Sequence, residues 1–250
     1  MTASVARSVS RTPGSSTSVS RTLGLAGFAG ALLCPAAASA EVGATLSAFS
    51  DARFRGYSIS NHDPVAILDF AYDDPSGAYA AASGSAVASS EEVRPLALQL
   101  SAGYATRLSS GLTLDVGVAH SEYSRYATAA RARSYTEIYA GLSRKYLTGR
   151  VYFSPHYFDS HTSTLYGELN GEVGIAPKLS LSTHVGTLVP VRSRGSGAWH
   201  PQYDWRLGLT RQLGRASLHA AWIGGDQFRR YGANRRHRSD GLVFGVSFTL

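Results

Sequence analysis

Apolar and polar residues alternate one for one in segment after segment of this 250-residue chain. Along 203–213, Tyr203, Trp205, Leu207 and Leu209 share one face, while Asp204, Arg206, Gly208 and Thr210 share the other. Along 240–250, Leu242, Phe244, Val246, Phe248 and Leu250 lie opposite Val243, Gly245, Ser247 and Thr249. Leu165, Leu169 and Val173 likewise oppose Tyr166, Glu168, Asn170 and Glu172, and the period recurs in 96–107, 112–120, 134–144 and 179–187. A period of two places successive side chains on opposite faces of a strand, so the chain is all-β. The Ala-rich stretch 77–89 is the one segment whose composition suits a helix as well as a strand.

The connections carry the second constraint. Tight turns are expected at Asp74-Pro75-Ser76-Gly77, Ser109-Ser110-Gly111, Leu147-Thr148-Gly149, Ala176-Pro177-Lys178 and Gly214-Arg215. Longer polar links are expected near 59–64, 89–95, 124–134, 158–164, 190–202 and 227–240. Short and long alternate, giving twelve strands with both termini on the tight-turn side. A soluble sandwich has no reason to sort its loops by length onto two ends. An outer-membrane barrel does, with short periplasmic turns and longer external loops. Mean hydropathy is −0.09, and no stretch offers the roughly 18 apolar residues of a spanning helix. One oily face and one polar face average to that value. Tyr72, Tyr104, Tyr146, Tyr157, Tyr203 and Trp205 fall near strand ends, as interfacial girdles do.

Residues 1–40 read as a signal peptide: Arg7, Arg11 and Arg21 without acids, an apolar run Leu23–Leu33, then Ala38-Ser39-Ala40 before Glu41. Cys34 lacks the small preceding residue of a lipidated cysteine. Cleavage after Ala40 leaves a mature chain, 41–250, without cysteine or methionine and with 21 basic against 17 acidic residues. The expectation is a transmembrane antiparallel up-and-down β-barrel in the bacterial outer membrane, with periplasmic termini. The closing run Val246-Ser247-Phe248-Thr249-Leu250 is similar to the signal read by the outer-membrane insertion machinery.

Several stretches also resemble one family. Asp51-Ala52-Arg53-Phe54-Arg55-Gly56-Tyr57-Ser58-Ile59-Ser60 is similar to the Y-x-F-R-G-x-S-x-S opening of the Gcw_chp family, also known as TorF-type porins. Tyr135-Thr136-Glu137-Ile138-Tyr139-Ala140-Gly141-Leu142-Ser143 resembles its Y-T-E-L-Y-A-G-L-S strand. Tyr152–Phe158 resembles its Y-Y-S-P-D-Y-F segment, with His156 where Asp is usual, and Tyr203–Gly208 its Y-x-D-W-x-L-G strand. Asp240-Gly241 resembles the start of its last strand. After Gly77-Ala78-Tyr79 the family carries Trp and S-N, where this chain has Ser83 and Ser85-Ala86. The resemblance implies an outer-membrane barrel and a porin role, and brings no substrate and no catalytic residue.

A charge facing lipid is costly, so the polar faces should line an interior. Those positions are Asp69, Gln99, Arg107, Asp115, Glu137, Arg150, Glu168, Asn170, Glu172, His184, Asp204 and Arg206. Two readings stand: a narrow polar channel for small polar or charged solutes, or ion pairs that plug the barrel and leave its external loops to do the work. The loops hold the strongest charge feature, Arg229-Arg230 and Arg235-Arg236-His237-Arg238. Export makes nucleic acid an implausible partner. Lipopolysaccharide phosphates suit Arg235, Arg236 and Arg238, or these residues draw anions toward the mouth.

Enzymatic and metal chemistry lack a complete constellation. His120–Ser121, Ser154–His156 and His161–Ser163 are neighbours without an orienting acid or a G-x-S-x-G elbow. His156, Asp159 and His161 have no second histidine pair, and no cofactor motif is present.

Overall fold

In the computed structural model, residues 40–89, 92–127, 133–158, 162–193, 201–225 and 240–250 are described. The barrel begins with β1 (Glu41–Phe49) and continues, after a short inserted hairpin of β2 (Arg53–Phe54) and β3 (Tyr57–Ser58), with β4 (Val65–Asp73), β5 (Ala78–Ala88) and β6 (Val93–Arg107). Next come β7 (Thr113–Tyr123), β8 (Ser134–Arg144), β9 (Leu147–Ser154) and β10 (Thr162–Ala176). The last four are β11 (Leu179–Ser193), β12 (Gln202–Leu213), β13 (Ala216–Gly225) and β14 (Gly241–Thr249).

Apart from β2 and β3, the strands form one closed antiparallel barrel of twelve, each paired with its neighbour in the chain. Closure comes from β1, which pairs with β14 (Thr45↔Thr249 to Phe49↔Gly245) and with β4 (Glu41↔Asp73 to Phe49↔Val65). Closure removes every sheet edge, which a barrel in lipid requires. The Ala-rich segment is β5, held in register with β4 and β6 from both sides. Tertiary pairing there overrides its helical composition.

Alternation now has a direction. Leu46, Leu68, Phe70, Leu98, Leu100, Val116, Ile138, Leu169, Val185, Leu207, Phe244 and Phe248 are exposed on the outside. Their neighbours Thr45, Asp69, Ser101, Asp115, Glu137, Glu168, His184, Asp204, Arg206 and Ser247 are buried within. Such a surface is the inverse of a soluble protein and fits hydrocarbon. Leu169 sits at the middle of β10, 45% exposed, between Gly149 and Val185. Leu169→Arg should therefore cost about 2–4 kcal/mol in unfolding from bilayers, the depth-dependent penalty for a midplane cation. A loss under 0.5 kcal/mol in urea titrations would show that this face does not meet lipid.

Tyr72, Tyr104, Tyr146, Tyr203 and Trp222 are exposed outward near strand ends, and Trp205 packs edge-on against Trp222 at 4.6 Å. Tyr157 departs from the girdle and is buried inside. Pro155 follows the end of β9, and the Tyr157 N–H donates to Thr162 O at 2.9 Å, turning the ring inward. Besides the first link, expected near 59–64 but running over residues 50–64, two connections differ from expectation. The turn expected at 147–149 is Lys145-Tyr146, with Lys145 at φ 49°, and the link expected at 89–95 shortens to four residues because β6 starts at Val93. Residues 1–39, all of the expected signal peptide but Ala40, lie outside the described residues.

Candidate functional site

The barrel's interior is the site, and its side chains are there because the outside excludes charge. Asp69, Asp115, Glu137, Arg150, Glu168, Asn170, His184, Asp204 and Arg206 are buried inside; Gln99 and Glu172 are half-buried. Arg107 has the inward register at the end of β6, next to Thr113, but is exposed at the tight-turn rim.

Two hydrogen-bonded groups organise one wall. In the first, Arg150 donates from Nη2 to Asp115 Oδ2 at 2.6 Å and from Nε at 3.1 Å. Tyr79 donates to Asp115 Oδ1 at 2.6 Å and also meets the Tyr139 hydroxyl. The pair spans three strands, β7 to β9, over Gly141 of β8. A Cβ on Gly141 would stand 2.5 Å from Arg150 Cγ, so only glycine lets the arginine lie across β8. In the second group, Tyr152 and Asn170 donate to Glu168 Oε1 at 3.2 and 3.0 Å. The Asn170 oxygen lies 2.6 Å from His184 Nδ1, His184 Nε2 lies 2.7 Å from Asp204 Oδ1, and Tyr166 donates to Asp204 at 3.1 Å. Across β13, β14 and β1 the interior carries hydroxyls instead: Ser47 donates to Ser247, which lies 3.0 Å from His219 Nε2.

Two buried charges stand outside these groups. Neither carboxylate oxygen of Asp69 has a hydrogen-bond donor in good geometry, although the Ser83 hydroxyl stands close on the paired strand. Nε and Nη2 of Arg206 have no acceptor.

Residues 50–64 supply the feature that sequence reasoning missed. This first connection folds into the barrel and leaves Ala52, Arg53, Phe54, Arg55, Ile59 and Ser60 buried. Asp51 holds it together: Oδ2 accepts from Arg53 Nε at 2.8 Å, and Oδ1 accepts from Ser58 and Ser60 at 2.6 and 2.9 Å. Ser60 Oγ accepts in turn from the Ala52 N–H at 2.9 Å. The hairpin turns through Arg55 and Gly56 with φ 45° and 87°, the positive pair of a two-residue hairpin turn. A Cβ on Gly56 would lie 2.6 Å from Gly224 O, so the turn presses against β13.

Phe54 lies among Tyr57, Tyr123, Tyr135 and Phe158, at 5.5–6.3 Å between ring centres. Arg55 Nη2 donates to both Glu137 oxygens, at 2.8 and 3.0 Å. Its guanidinium sits over Tyr166 at 4.0 Å, with Phe54, Tyr157 and Tyr135 at 5.0, 5.1 and 5.9 Å. One signal was available in the sequence: an X-Gly pair framed by two-residue arms, with Asp and Ser placed to cross-link them. Nearby, Tyr126 donates to Asp63 Oδ2 at 2.5 Å, and that carboxylate pushes the Tyr126 hydroxyl up to about 12. At the opposite rim, side-chain and backbone donation from Ser76 holds the Asp74 carboxyl below its ordinary range.

Other candidates fall elsewhere. His120 faces outward with its Nδ1 2.9 Å from Thr136 Oγ1, and Ser154 donates to Thr136 O at 3.0 Å. No group of three or more metal-ligating side chains is present among the described residues. Arg235, Arg236 and Arg238 lie outside the described residues, as do Asp159 and His161.

Residues 34–246 match a family model described as a bacterial protein of unknown function (Gcw_chp). No curated protein matches the chain. Among solved structures, the NanC porin is similar with a TM-score of 0.58 and 11% identity, over 83% of this chain and 100% of that one. The KdgM porin is similar with a TM-score of 0.51 and 8% identity, over 83% and 99%. At these identities the likeness concerns the fold alone, a closed antiparallel β-barrel.

Proposed function

The chain belongs to the Gcw_chp family, and we propose that it works as an outer-membrane porin, a narrow passage for small polar or charged solutes with both termini periplasmic. The incompletely hydrogen-bonded interior side chains Asp69 and Arg206 carry this reading. A barrel filled for structure alone would pair every buried ion, because an unpaired one is heavily penalised. Asp69 lacks a well-aligned donor, and Arg206 leaves Nε and Nη2 without acceptors while Glu172 and Glu168 act on it only as neighbouring charges, so both are better satisfied with solvent or a solute beside them. The passage is narrow because hairpin 50–64 occupies the interior.

Planar-bilayer recording of purified, heat-modifiable protein tests the reading. The expected result is reproducible single-channel steps smaller than those of a 16-stranded porin in the same salt. Folded protein that stays silent would sink the porin reading and support the second one, a structural barrel closed by its hairpin and acting through external loops. The buried Phe54 and Arg55 favour that alternative.

The loop arginines extend the proposal. Arg235, Arg236 and Arg238 would contact lipopolysaccharide phosphates or draw anions to the mouth. Replacing all three by serine should lower lipopolysaccharide co-purification or shift the reversal potential toward cations. If both stay unchanged, the arginines have no such role.

A further inference from the structure

We infer that Glu137, Tyr135, Tyr157 and Tyr166 form a recognition site for organic cations of the guanidinium class, occupied in this state by the chain's own Arg55. The geometry is that of an aromatic cage. Four rings, including Phe54 from the hairpin itself, surround the guanidinium carbon at 4.0–5.9 Å, and one carboxylate takes Nη2 at 2.8 and 3.0 Å. Ring faces carry the negative lobe of the aromatic quadrupole, and their attraction for a cation grows as water is excluded. Here the Arg55 and Glu137 side chains are 5% and 7% exposed. Tyr135, Tyr157 and Tyr166 are also buried, so the cage is dry and its single charge is Glu137.

Arg55 reaches the cage from a loop, not from the wall. It stands at the tip of the inward hairpin, and its Nε and Nη1 have no acceptor in good geometry, although the Tyr157 hydroxyl stands close. A tethered group that aligns only one of its three guanidinium nitrogens on an acceptor is an incomplete ligand. A free guanidinium can tilt within the rings as the tether cannot, and can present two nitrogens to the carboxylate as a fork. It would compete with Arg55, and the hairpin tip would lose its anchor. The displacement of the hairpin by a passing solute rests on the porin reading. The cage does not, so the two are tested apart.

The cage is tested with Arg55→Gly and ethylguanidinium chloride as the probe. Glycine suits the positive φ of position 55, so the substitution empties the cage while sparing the turn. The buried Glu137 then lacks its cation, and the heat-unfolding midpoint of the refolded barrel falls. Ethylguanidinium should restore much of that loss with saturation in the millimolar range, while sodium chloride at the same concentration should not. Arg55→Gly combined with Glu137→Gln should show no saturable recovery. Equal recovery by sodium, or equal response of the single and double variants, would overturn the site.

The displacement is read on the unaltered protein. External ethylguanidinium should raise mean conductance at least about twofold over equimolar sodium, saturating in the same millimolar range, and Glu137→Gln should abolish the rise. This arm also decides the matter if Arg55→Gly does not fold, because a conducting barrel that ignores ethylguanidinium refutes the competition. A barrel silent in every salt refutes the porin reading, while recovery of Arg55→Gly still decides the cage.

Discussion

Replacing residues 52–60 by a short Gly-Ser connection is expected to raise single-channel conductance several-fold while the barrel stays closed. Phe49 and Val65 are directly paired, so the retained residues 50–51 and 61–64 joined by the Gly-Ser link are ample to connect β1 to β4. What leaves the interior is large: Phe54 and Ala52 are fully buried, and Arg53, Arg55 and Ile59 nearly so. Current through a narrow pore is limited by its tightest section. Emptying the section that holds a phenylalanine and two arginines should therefore outweigh any single wall substitution. The deletion also strands Glu137, so Glu137→Gln belongs in the same variant to keep an unpaired carboxylate from obscuring the result. Heat-modifiable mobility reports the barrel, and conductance reports the constriction. An intact barrel with unchanged steps would place the restriction at the level of Asp115 and Arg150 instead.

The strands were legible in the sequence because lipid leaves no choice. A face of Leu, Val and Phe alternating with Asp, Arg and Ser satisfies only a sheet with oil on one side, and most of the barrel strands carry that mark; Ala-rich β5 does not, and its strand is fixed by its pairing with β4 and β6. The inward residues were legible by the same exclusion. Their partners were not. Asp115 and Arg150 sit on strands that do not pair with each other, and they meet only because Gly141 leaves room above β8. The turn of the hairpin at 50–64 had a signal in its Arg55-Gly56 pair, but its inward placement was not legible, for a chemical reason. A polar interior and bulk water accept the same residues, so Asp51, Arg53, Arg55 and Ser60 read equally as a solvated loop. The displaced turn at Lys145-Tyr146 has a related cause. Lys145 takes a positive φ that sequence reasoning reserves for glycine, while Gly149, four residues on, lies within β9 with Leu169 Cδ1 3.7 Å from where its Cβ would be.

Asp115→Ala is expected to cost about 3–5 kcal/mol of stability, the usual loss when one partner of a buried ion pair is removed. The Arg150 and Asp115 side chains are 1% and 4% exposed, and Arg150 gives two donors to one carboxylate oxygen. The variant strands that guanidinium and also takes the acceptor from Tyr79. Replacing both partners, as Asp115→Leu with Arg150→Met, should recover most of the loss, since apolar groups of similar volume avoid the desolvation penalty. Urea titrations in lipid vesicles, followed by tryptophan emission, measure both. The size of the loss says whether water reaches this level of the barrel. A dry section leaves Arg150 uncompensated and gives the full cost. A wet section solvates it and brings the cost below about 1 kcal/mol, as for an exposed pair. A small loss would thus refute the buried pair and favour an open passage at Asp115. The full loss, together with conduction in the unaltered protein, would confine the conducting path to the side of the interior that holds Asp69 and the hydroxyls of β1 and β14.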